Sequence, residues 1–508
     1  MNNVIKVYSV AFVGINVTQV EVQIQLLPGI PCFTIVGLAD KTIAESRERV
    51  RAALLSIGLS LPAKKILVNL APADLIKEGS HFDLAIACGL IAALGILPHD
   101  EINEYIILGE LSLDSTLLSV NGVLPAAIGA SMNSKGLICP KVNGREAAWS
   151  GNQRILAPST LMELINHFKG SQILAKPEIN EATEQPAYAD LKDIRGQKIA
   201  KRALEITASG GHNLLMFGPP GSGKSMLAQR LPGILPSLSN EEILECSMIS
   251  SVAGLIENGK LNSIRPFRAP HHNCSIAAMV GGGMGRRVKP GEISLAHNGV
   301  LFLDELPEFP SAVIDSLRQP IETGETLIAR SGSHIKYPAN FQLIAAMNPC
   351  KCGYIDEPSK ACSRAPKCSQ DYLFKISGPI LDRFDLHIHV PMIDIAFGST
   401  ITKDEESSVE VAKRVLRARQ MQLTRYDGYG IKTNNQLEGQ LLIDYAIPKD
   451  GSIDLLNQAG NKFKLSMRSY NRILKLARTI ADLSSEQYVN RMHISEALSY
   501  RQINYLAQ

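Results

Sequence analysis

The 508-residue sequence lacks a strong net charge, a long apolar run and any internal repeat. Its net charge is +3, and a total so close to neutral neither requires nor excludes nucleic acid as a partner, because a basic surface can be local. The apolar stretch 84–97 is too short to span a bilayer, and the N-terminus shows no basic region followed by a continuous apolar run. These absences predict a cytoplasmic protein without a signal peptide or a membrane partner.

Cysteines are few for the length, and only four of the nine are clustered. In a reducing compartment disulfides are not expected, and the five scattered cysteines fit small core residues. The clustered four, within residues 350–368, suggest a structural tetrahedral Zn²⁺ site, although their spacing departs from the common pair of CxxC knuckles. The alternative is a loop of free thiols. The candidate zinc ligands are Cys350, Cys352, Cys362 and Cys368. His271 and His272 fit a turn or a subunit contact better than a ligand role.

Three patterns divide the chain, whose length also predicts two or three domains. Residues 1–170 mix alternating strands such as EVQIQLL with apolar helices such as FDLAIACGLIAALG, which predicts an α+β domain. Residues 171–187 are polar, aperiodic and contain two prolines, so we expect a linker. Strands alternate with helices over 188–395, which predicts an α/β domain with a parallel sheet, and amphipathic helices over 396–508 predict a helical domain.

The stretch GPPGSGKS, residues 218–225, follows an apolar strand and opens a helix. That is the context in which a glycine-rich loop cradles the phosphates of a nucleotide such as ATP, through backbone N–H groups and the helix N-terminus. Lys224 is placed for the β- and γ-phosphates, and the Ser225 hydroxyl for Mg²⁺. The residues predicted to bind the nucleotide here are Gly218, Pro219, Pro220, Gly221, Ser222, Gly223, Lys224 and Ser225.

Two further apolar strands end in polar side chains suited to phosphoryl chemistry. GVLFLDELPEF delivers Asp304, expected to hold Mg²⁺, and Glu305, expected to polarise the attacking water. FQLIAAMNP ends in Asn348, which is suited to orient that water near the γ-phosphate. An ordinary turn is the alternative for the Asn-Pro ending.

In this order the motifs resemble those of the AAA+ ATPases, and the resemblance supplies two arginines. GPILDRFDLHI resembles the segment that places an arginine finger, Arg383, against a neighbouring subunit's γ-phosphate. LSMRSYNRIL resembles the second sensor, Arg468, in a helical lid. Guanidinium groups suit the charge that develops on phosphoryl oxygens, and a finger acting in trans implies a ring, a homo-hexamer. The alternative for each arginine is a surface residue on a helix.

The segment FRAPHHNCSIAAMVGGGMGRRVKPGEISLAHNGVLFLDELPEF resembles the magnesium-chelatase-like branch of these ATPases, and within it the ComM/YifB family. SGPILDR, AAMNPC, VGLADKTIAESRERVRAAL and VNLAPADLIKEGSHFDLAIA match the same family, so the resemblance spans almost the whole chain. It implies a DNA helicase that drives branch migration during natural transformation. The implied partners are single-stranded and branched DNA, with recombination proteins beside them.

The N-terminal region resembles the proteolytic domain of Lon, which uses a Ser-Lys dyad. The matching stretch KEGSHFD places His81 where the serine belongs, with Ser80 offset by one, and VLPAAIGA has Ala130 at the lysine position. A serine without a base is not an activated nucleophile, so we expect a non-proteolytic scaffold.

Residues 325–343, ETLIARSGSHIKYPANFQL, read as two β-like stretches joined at Ser331-Gly332-Ser333. Gly332 is a natural turn residue, and Arg330 and Lys336 flank the tip. Chelatase-like AAA+ proteins resemble this in carrying a hairpin just before the Asn sensor, directed into the central channel. The resemblance therefore implies that Arg330 and Lys336 contact DNA, and a solvated hairpin is the alternative.

Three functions remain open from the sequence. The first is an ATP-driven ring that translocates DNA, and its chief rival is a remodelling ATPase, like the chelatase motor subunit or a MoxR-type chaperone, acting on a protein. The third, an ATP-dependent protease, lacks the dyad. The basic tracts GRRVK and ARSGSHIK and the family resemblance favour DNA.

Overall fold

The computed structural model describes residues 4–37, 40–179, 188–261, 263–283, 288–330, 333–355, 363–364, 367–392 and 405–501. Their architecture is mixed α and β, with a parallel sheet in the central region and helices in the C-terminal region, as the sequence predicts. Across these ranges no helix is both long enough and apolar enough to cross a membrane.

The N-terminal region folds around a seven-stranded sheet in the order β3-β4-β2-β1-β5-β8-β9, with a separate β6-β7 pair. Its strands are β1 Ile5–Val13, β2 Asn16–Leu27, β3 Cys32–Val36, β4 Lys65–Ala71, β5 Tyr105–Ile107, β6 Glu110–Leu111, β7 Leu117–Leu118, β8 Gly136–Ile138 and β9 Ile155–Leu156. Its helices are α1 Lys41–Ser56, α2 Asp83–Ala93, α3 His99–Ile102, α4 Val123–Met132, α5 Gly144–Ala148 and α6 Leu161–Phe168.

Helix α2 packs apolar side chains against one face of this sheet and keeps water from it. All residues of the helix except its last are buried, as its unbroken apolar sequence predicts, and it packs on β1 and β2. Its first residue, Asp83, is fully buried and is paired with Arg49 of α1 at 2.6 Å. The ion pair ties α1 to α2 and satisfies a carboxylate that burial would otherwise penalise.

The central region has a five-stranded sheet in the order β11-β14-β17-β10-β18, and every pairing in it is parallel. Its strands are β10 Leu214–Phe217, β11 Phe267–Arg268, β14 Val300–Leu303, β17 Gln342–Met347 and β18 Leu386–His389, and two hairpins consist of β12 Gly281–Gly282 with β13 Lys289–Pro290 and β15 Glu325–Arg330 with β16 Ser333–Pro338. Its helices are α7 Lys198–Gly210, α8 Lys224–Arg230, α9 Asn240–Ala253, α10 Ile276–Val280, α11 Glu292–Leu295, α12 Ser311–Ser316, α13 Arg318–Thr323, α14 Lys367–Leu373 and α15 Gly378–Leu381.

The C-terminal region is helical, as predicted, and shares one hydrophobic core with the sheet. Its helices are α16 Ser408–Arg425, α17 Gly439–Ala446, α18 Ile453–Phe463, α19 Met467–Leu483 and α20 Arg491–Ser499. Helix α16 begins at a capping box in which Ser407 and Glu410 exchange hydrogen bonds. Arg472 of α19 reaches the fully buried Asp385 at 2.5 Å. Burial alone would raise the pKa of Asp385, but the charge of Arg472 holds it well below its usual range.

The N-terminal region docks on helix α9 and the segment that follows it. Gly122 N donates to Ser251 O at 3.0 Å, and Trp149 Nε1 donates to Gly259 O at 3.0 Å. The Ser251 hydroxyl also donates to the buried carboxylate of Glu146 at 2.5 Å. Hydrogen bonds between buried groups fix the relative position of the two sheets more specifically than apolar contact would.

Candidate functional site

The carboxyl ends of three neighbouring strands gather the predicted nucleotide-binding residues. In the parallel register Phe217 of β10 pairs with Met347 of β17, and Leu303 of β14 pairs with Ala345 of the same strand. The phosphate loop, Asp304 and Asn348 each follow one of these strands, so they meet at one edge of the sheet. Ligands of open parallel sheets bind at this edge.

The phosphate loop has the backbone that its glycines permit. Gly223, which precedes α8, has φ +91°, a left-handed conformation in which a side chain would be strained. At Gly218 the obstacle is space, since a Cβ would lie 2.1 Å from Val390 O. The sequence motif therefore reflects two different constraints, one on backbone torsion and one on packing against the end of β18.

Lys224 is held inside the loop and is mostly buried. Its Nζ donates to the carbonyl oxygens of Gly218 and Pro219, both at 2.8 Å, and to Asn348 Oδ1 at 3.3 Å. Burial lowers the pKa of Lys224 to about 8, while the nearby carboxylates act in the opposite direction. The contact with Asn348 brings the predicted phosphate cation and the predicted sensor together.

The two predicted Mg²⁺ ligands are in direct contact. Ser225 Oγ donates to Asp304 Oδ2 at 2.6 Å, and the other oxygen of Asp304 accepts from the backbone N–H of Glu305 at 3.0 Å. A hydroxyl and a carboxylate are oxygen donors of the kind that Mg²⁺ prefers, so these residues fit the ion. Glu305 itself has φ +54°, an uncommon conformation for a residue with a side chain.

The sequence did not connect His272 with the carboxyl ends of these strands. The structure places its Nδ1 3.6 Å from Glu305 Oε2. His272 lies between β11 and α10, far from Glu305 in sequence, and the two meet because β11 lies beside β14 in the sheet. The residues around His272 in the sequence do not indicate this contact, because it depends on which strands are neighbours in the sheet.

Arg383 and Arg468 lie at the opposite edge of the same sheet. The backbone oxygen of Arg383 accepts from the side chain of Asn213, the residue just before β10, whereas the phosphate loop follows β10. A four-residue strand separates the two edges by about 13 Å. Both guanidinium groups bond the same carboxylate oxygen of Glu322, Arg383 at 2.7 Å and Arg468 at 3.4 Å.

The Glu322 contact was not foreseen from the sequence, where LRQPIETG gives no sign of a shared counter-ion. Arg383 is mostly buried, and burial lowers its pKa while Glu322 acts in the opposite direction. Arg468 is half exposed. Both arginines line a wide cavity of about 1460 Å³ between the sheet and the C-terminal helices.

Three of the four predicted zinc ligands lie together. The sulfur atoms of Cys350, Cys352 and Cys368 are within 4.8 Å of one another, and the first two are 3.0 Å apart. Cys362 lies outside the described residues. Three converging thiols fit a thiophilic metal such as zinc. The cluster is also close to the phosphate loop, because a Cβ on Gly353 would lie 2.6 Å from Pro220 Cδ.

The predicted hairpin forms from β15 and β16, with Arg330 opposite Ser333 at the end of the ladder. Its tip, residues 331–332, lies outside the described residues, as do residues 285–287 of the GRRVK tract. Lys336 is largely exposed and pairs with Glu325 at 3.2 Å. The middle of strand β16 packs on the N-terminal region, since a Cβ on Gly14 would lie 2.5 Å from Lys336 O. This packing joins the hairpin to the turn between β1 and β2.

The stretch that resembles a protease site has different partners. The Ser80 hydroxyl donates to the carboxylate of Glu110, and Ala130 is buried in α4. His81 is buried and its Nε2 lies 2.9 Å from Val10 O. The serine is therefore next to a carboxylate instead of the lysine amine that a Ser-Lys dyad requires.

Three family models match the chain, and together they cover most of its length. The model described as magnesium chelatase, subunit ChlI, matches residues 190–396. Subunit ChlI of Mg-chelatase matches residues 20–143, and the C-terminal part of the same subunit matches residues 405–501. These matches contain all the groups described above at both edges of the sheet.

Relatives of similar length match almost from end to end. The chain is 44% identical to competence protein ComM of Haemophilus influenzae, over 99% of this chain and 98% of that protein. It is 42% identical to the uncharacterized protein YifB of Salmonella typhimurium, over 98% and 97%. The magnesium-chelatase 38 kDa subunit of Rhodobacter capsulatus is 28% identical over 34% of this chain and 54% of that protein. The chain therefore belongs to the ComM/YifB family of magnesium-chelatase-like proteins.

Proposed function

We propose that the chain is the subunit of an ATP-driven, ring-shaped DNA translocase that drives branch migration during natural transformation. The observation that carries the proposal is the end-to-end match to a protein named for competence, in a chain whose phosphate-binding residues are assembled. The proposed partners are single-stranded and branched DNA, recombination proteins and further copies of the chain, in the cytoplasm.

Membership of the magnesium-chelatase-like AAA+ family supports ATP hydrolysis as the reaction, and the residues at the carboxyl edge fit that reaction. In the proposed site Lys224 binds the phosphates, Ser225 and Asp304 hold Mg²⁺, and Glu305 accepts a proton from the attacking water. Asn348, already hydrogen-bonded to Lys224, orients that water. Bound Mg²⁺ would neutralise the charge that develops on the phosphoryl oxygens.

The positions of Arg383 and Arg468 support the proposal of a ring. Neither lies at the edge of the sheet that holds its own chain's phosphate loop, so each is proposed to reach a nucleotide bound by a neighbour. Subunits packed head to tail in this way close into a ring, proposed to be a hexamer. In such an interface the neighbour's γ-phosphate would compete with Glu322 for the two guanidinium groups.

DNA binding is proposed for the hairpin of β15 and β16, through Arg330 and Lys336. The double variant Arg330→Ala with Lys336→Ala is expected to abolish stimulation of ATP hydrolysis by DNA and strand displacement on forked DNA. Basal hydrolysis and assembly should persist, because the hairpin lies outside the nucleotide site. Lys6→Ala, at an exposed position in β1 outside both basic tracts and the nucleotide site, is a control for loss of charge alone. A double variant that unwinds forks at the parent rate contradicts the assignment of the hairpin.

The rival function is remodelling of a protein partner, in the manner of a chelatase motor subunit or a MoxR-like chaperone. The partial match to the magnesium-chelatase 38 kDa subunit favours it for the central region. The two functions separate in one experiment, which measures ATP hydrolysis without DNA and with single-stranded, duplex and forked DNA. A translocase is expected to respond to DNA with a salt-sensitive increase in rate, and a protein remodeller is not.

The cysteine cluster is proposed to hold a structural zinc ion, with Cys362 as the fourth ligand. Protein purified without chelators is expected to carry about one zinc ion per chain by elemental analysis, and Cys350→Ser with Cys368→Ser should remove it. Cys32→Ser is the matched control, because Cys32 is exposed and remote from the cluster. Metal-free parent protein would favour free thiols instead.

A further inference from the structure

His272 is the second group, after Asp304, that the fold brings to Glu305. Its Nδ1 lies 3.6 Å from Glu305 Oε2, and the side chains are 30% and 51% exposed. The imidazole is confined between two rings, His271 with centroids 4.1 Å apart and the buried Phe309 at 6.4 Å in an edge-to-face arrangement. A half-buried imidazole held on two sides has few orientations open to it, and one of them faces the carboxylate.

The backbone of Glu305 is fixed by its neighbours, which leaves the side chain as the adjustable part. Its φ of +54° is sparsely populated for a residue with a Cβ, and its N–H is bonded to Asp304 Oδ1 at 3.0 Å. Because the main chain is set, the place of the carboxylate depends on the torsions of the Glu305 side chain. Among the described residues His272 is the side chain in ion-pair distance of that carboxylate, and Lys224 acts on it only from further away.

We propose that His272 is a positioning residue that orients the Glu305 carboxylate for hydrolysis of ATP, an inference that rests on the proposed ATPase function. In that step the water oxygen bonds the γ-phosphorus while the bond to the bridging oxygen of ADP breaks. Glu305 accepts the water proton and later releases it to solvent. A general base needs a neighbouring group that fixes the direction of its carboxylate. His272 supplies that group from the segment after β11, the strand that lies beside β14.

The test is steady-state ATP hydrolysis by the full chain. His272→Ala is expected to lower kcat by roughly tenfold to a hundredfold, because a misdirected carboxylate accepts the proton of the attacking water poorly. The KM for ATP and the affinity for a fluorescent ATP analogue should stay at parent values, since His272 contacts neither Lys224 nor the loop carbonyls. His272→Asn should recover much of kcat, because the amide nitrogen of asparagine stands close to the Nδ1 position and can donate to the carboxylate.

His99→Ala is the matched control. His99 forms a similar pair with Asp100 at 3.7 Å and is 35% exposed, but it lies in the N-terminal region. That variant should keep the parent kcat. Coupling is tested in a Glu305→Asp background, where the carboxylate is already displaced by one methylene. His272→Ala should cost much less there than in the parent, because both changes disturb the same alignment.

Three results would overturn the inference while leaving the ATPase intact. They are a His272→Ala variant that hydrolyses ATP at the parent kcat, a loss that appears in KM, and an equal loss in the Glu305→Asp background. A parent chain that binds ATP and hydrolyses none overturns the proposed function and this inference together. The two failures are therefore told apart by the parent rate alone.

Discussion

The two edges of the central sheet differ in how their charged side chains are paired. At the carboxyl edge Lys224 is hydrogen-bonded to Asn348 and Ser225 to Asp304, so the groups expected to meet phosphate and Mg²⁺ are already assembled within one chain. At the amino edge Arg383 and Arg468 converge on one carboxylate, Glu322, beside a wide cavity. One edge gathers the groups predicted to bind a nucleotide, and the other holds two cations against an internal counter-ion.

A site can therefore be assembled within one chain without being complete. The carboxyl edge has a buried cation, oxygen donors of the kind that Mg²⁺ prefers and the carboxylate proposed as the base, which are the parts proposed to bind and hydrolyse a nucleotide. It has no guanidinium of its own for the transition state among the groups described there. The amino edge has guanidinium groups without phosphate-binding backbone. Each edge supplies what the other lacks, which is the basis of the proposed head-to-tail ring.

The variant with the greatest predicted loss of activity removes the proposed base at the carboxyl edge. Glu305→Gln should lower kcat for ATP hydrolysis on the order of a thousandfold, because the amide cannot accept the water proton. Its affinity for ATP should remain, since the contacts of Lys224 and Ser225 are untouched. Lys224→Ala should instead lose the binding of nucleotide. Rates and binding isotherms on both variants separate the two roles, and ordinary turnover by Glu305→Gln would refute the assignment of the base.

A smaller effect tests whether the amino edge acts on a neighbour. Arg383→Ala and Lys224→Ala subunits should each be inactive alone, and an equal mixture should recover hydrolysis at about a quarter of the interfaces, where an intact phosphate loop faces an intact arginine. The recovery should appear only after the subunits exchange. No recovery in a ring shown to be mixed, for example by mass spectrometry, would mean that Arg383 does not act in trans.

The smallest effect concerns the stability of the strand that leads away from the amino edge. Burial first, and then the charge of Arg501, lowers the pKa of His387 in β18 from 6.5 to about 4. Between those values the unfolded chain binds more protons than the folded one, so the free energy of unfolding falls as the pH drops through this window. The slope from this group is about 1.4 kcal/mol per pH unit.

His387→Phe should remove that contribution, because a phenylalanine ring at this buried position does not titrate. Denaturant unfolding between pH 7 and pH 4.5 measures the change in slope. Other buried histidines, such as His297, keep part of the parent's dependence on pH. His99→Phe, at a more exposed position, is the control. An unchanged slope in His387→Phe would show that His387 is charged in the folded protein.

Local sequence patterns were enough to predict the strands that lead to the carboxyl edge. The apolar strands that precede Gly218, Asp304 and Asn348 were predicted from runs of four to six apolar residues, and the structure has them as β10, β14 and β17. The hairpin was predicted from its turn residues, and it forms. In each case the information lies within a few neighbouring residues, which is the range over which periodicity and turn chemistry act.

The contacts that the sequence did not predict all cross between strands that are distant along the chain. His272 meets Glu305 because β11 is the neighbour of β14, and Glu322 meets Arg383 across the start of β18. The contact between the hairpin and the turn at Gly14 depends on how two sheets pack against each other. Strand order and docking are set by packing of the whole core, and no local pattern encodes them.

The separation of the two edges has a consequence for how many working centres an assembly contains. Under the proposed arrangement a centre belongs to a junction between chains and not to a chain. A lone subunit then has none, an open row has one fewer than its number of subunits, and a closed ring has as many as its subunits. Closing the ring adds a centre without adding a chain, so turnover per chain should rise with protein concentration and reach its plateau only at closure.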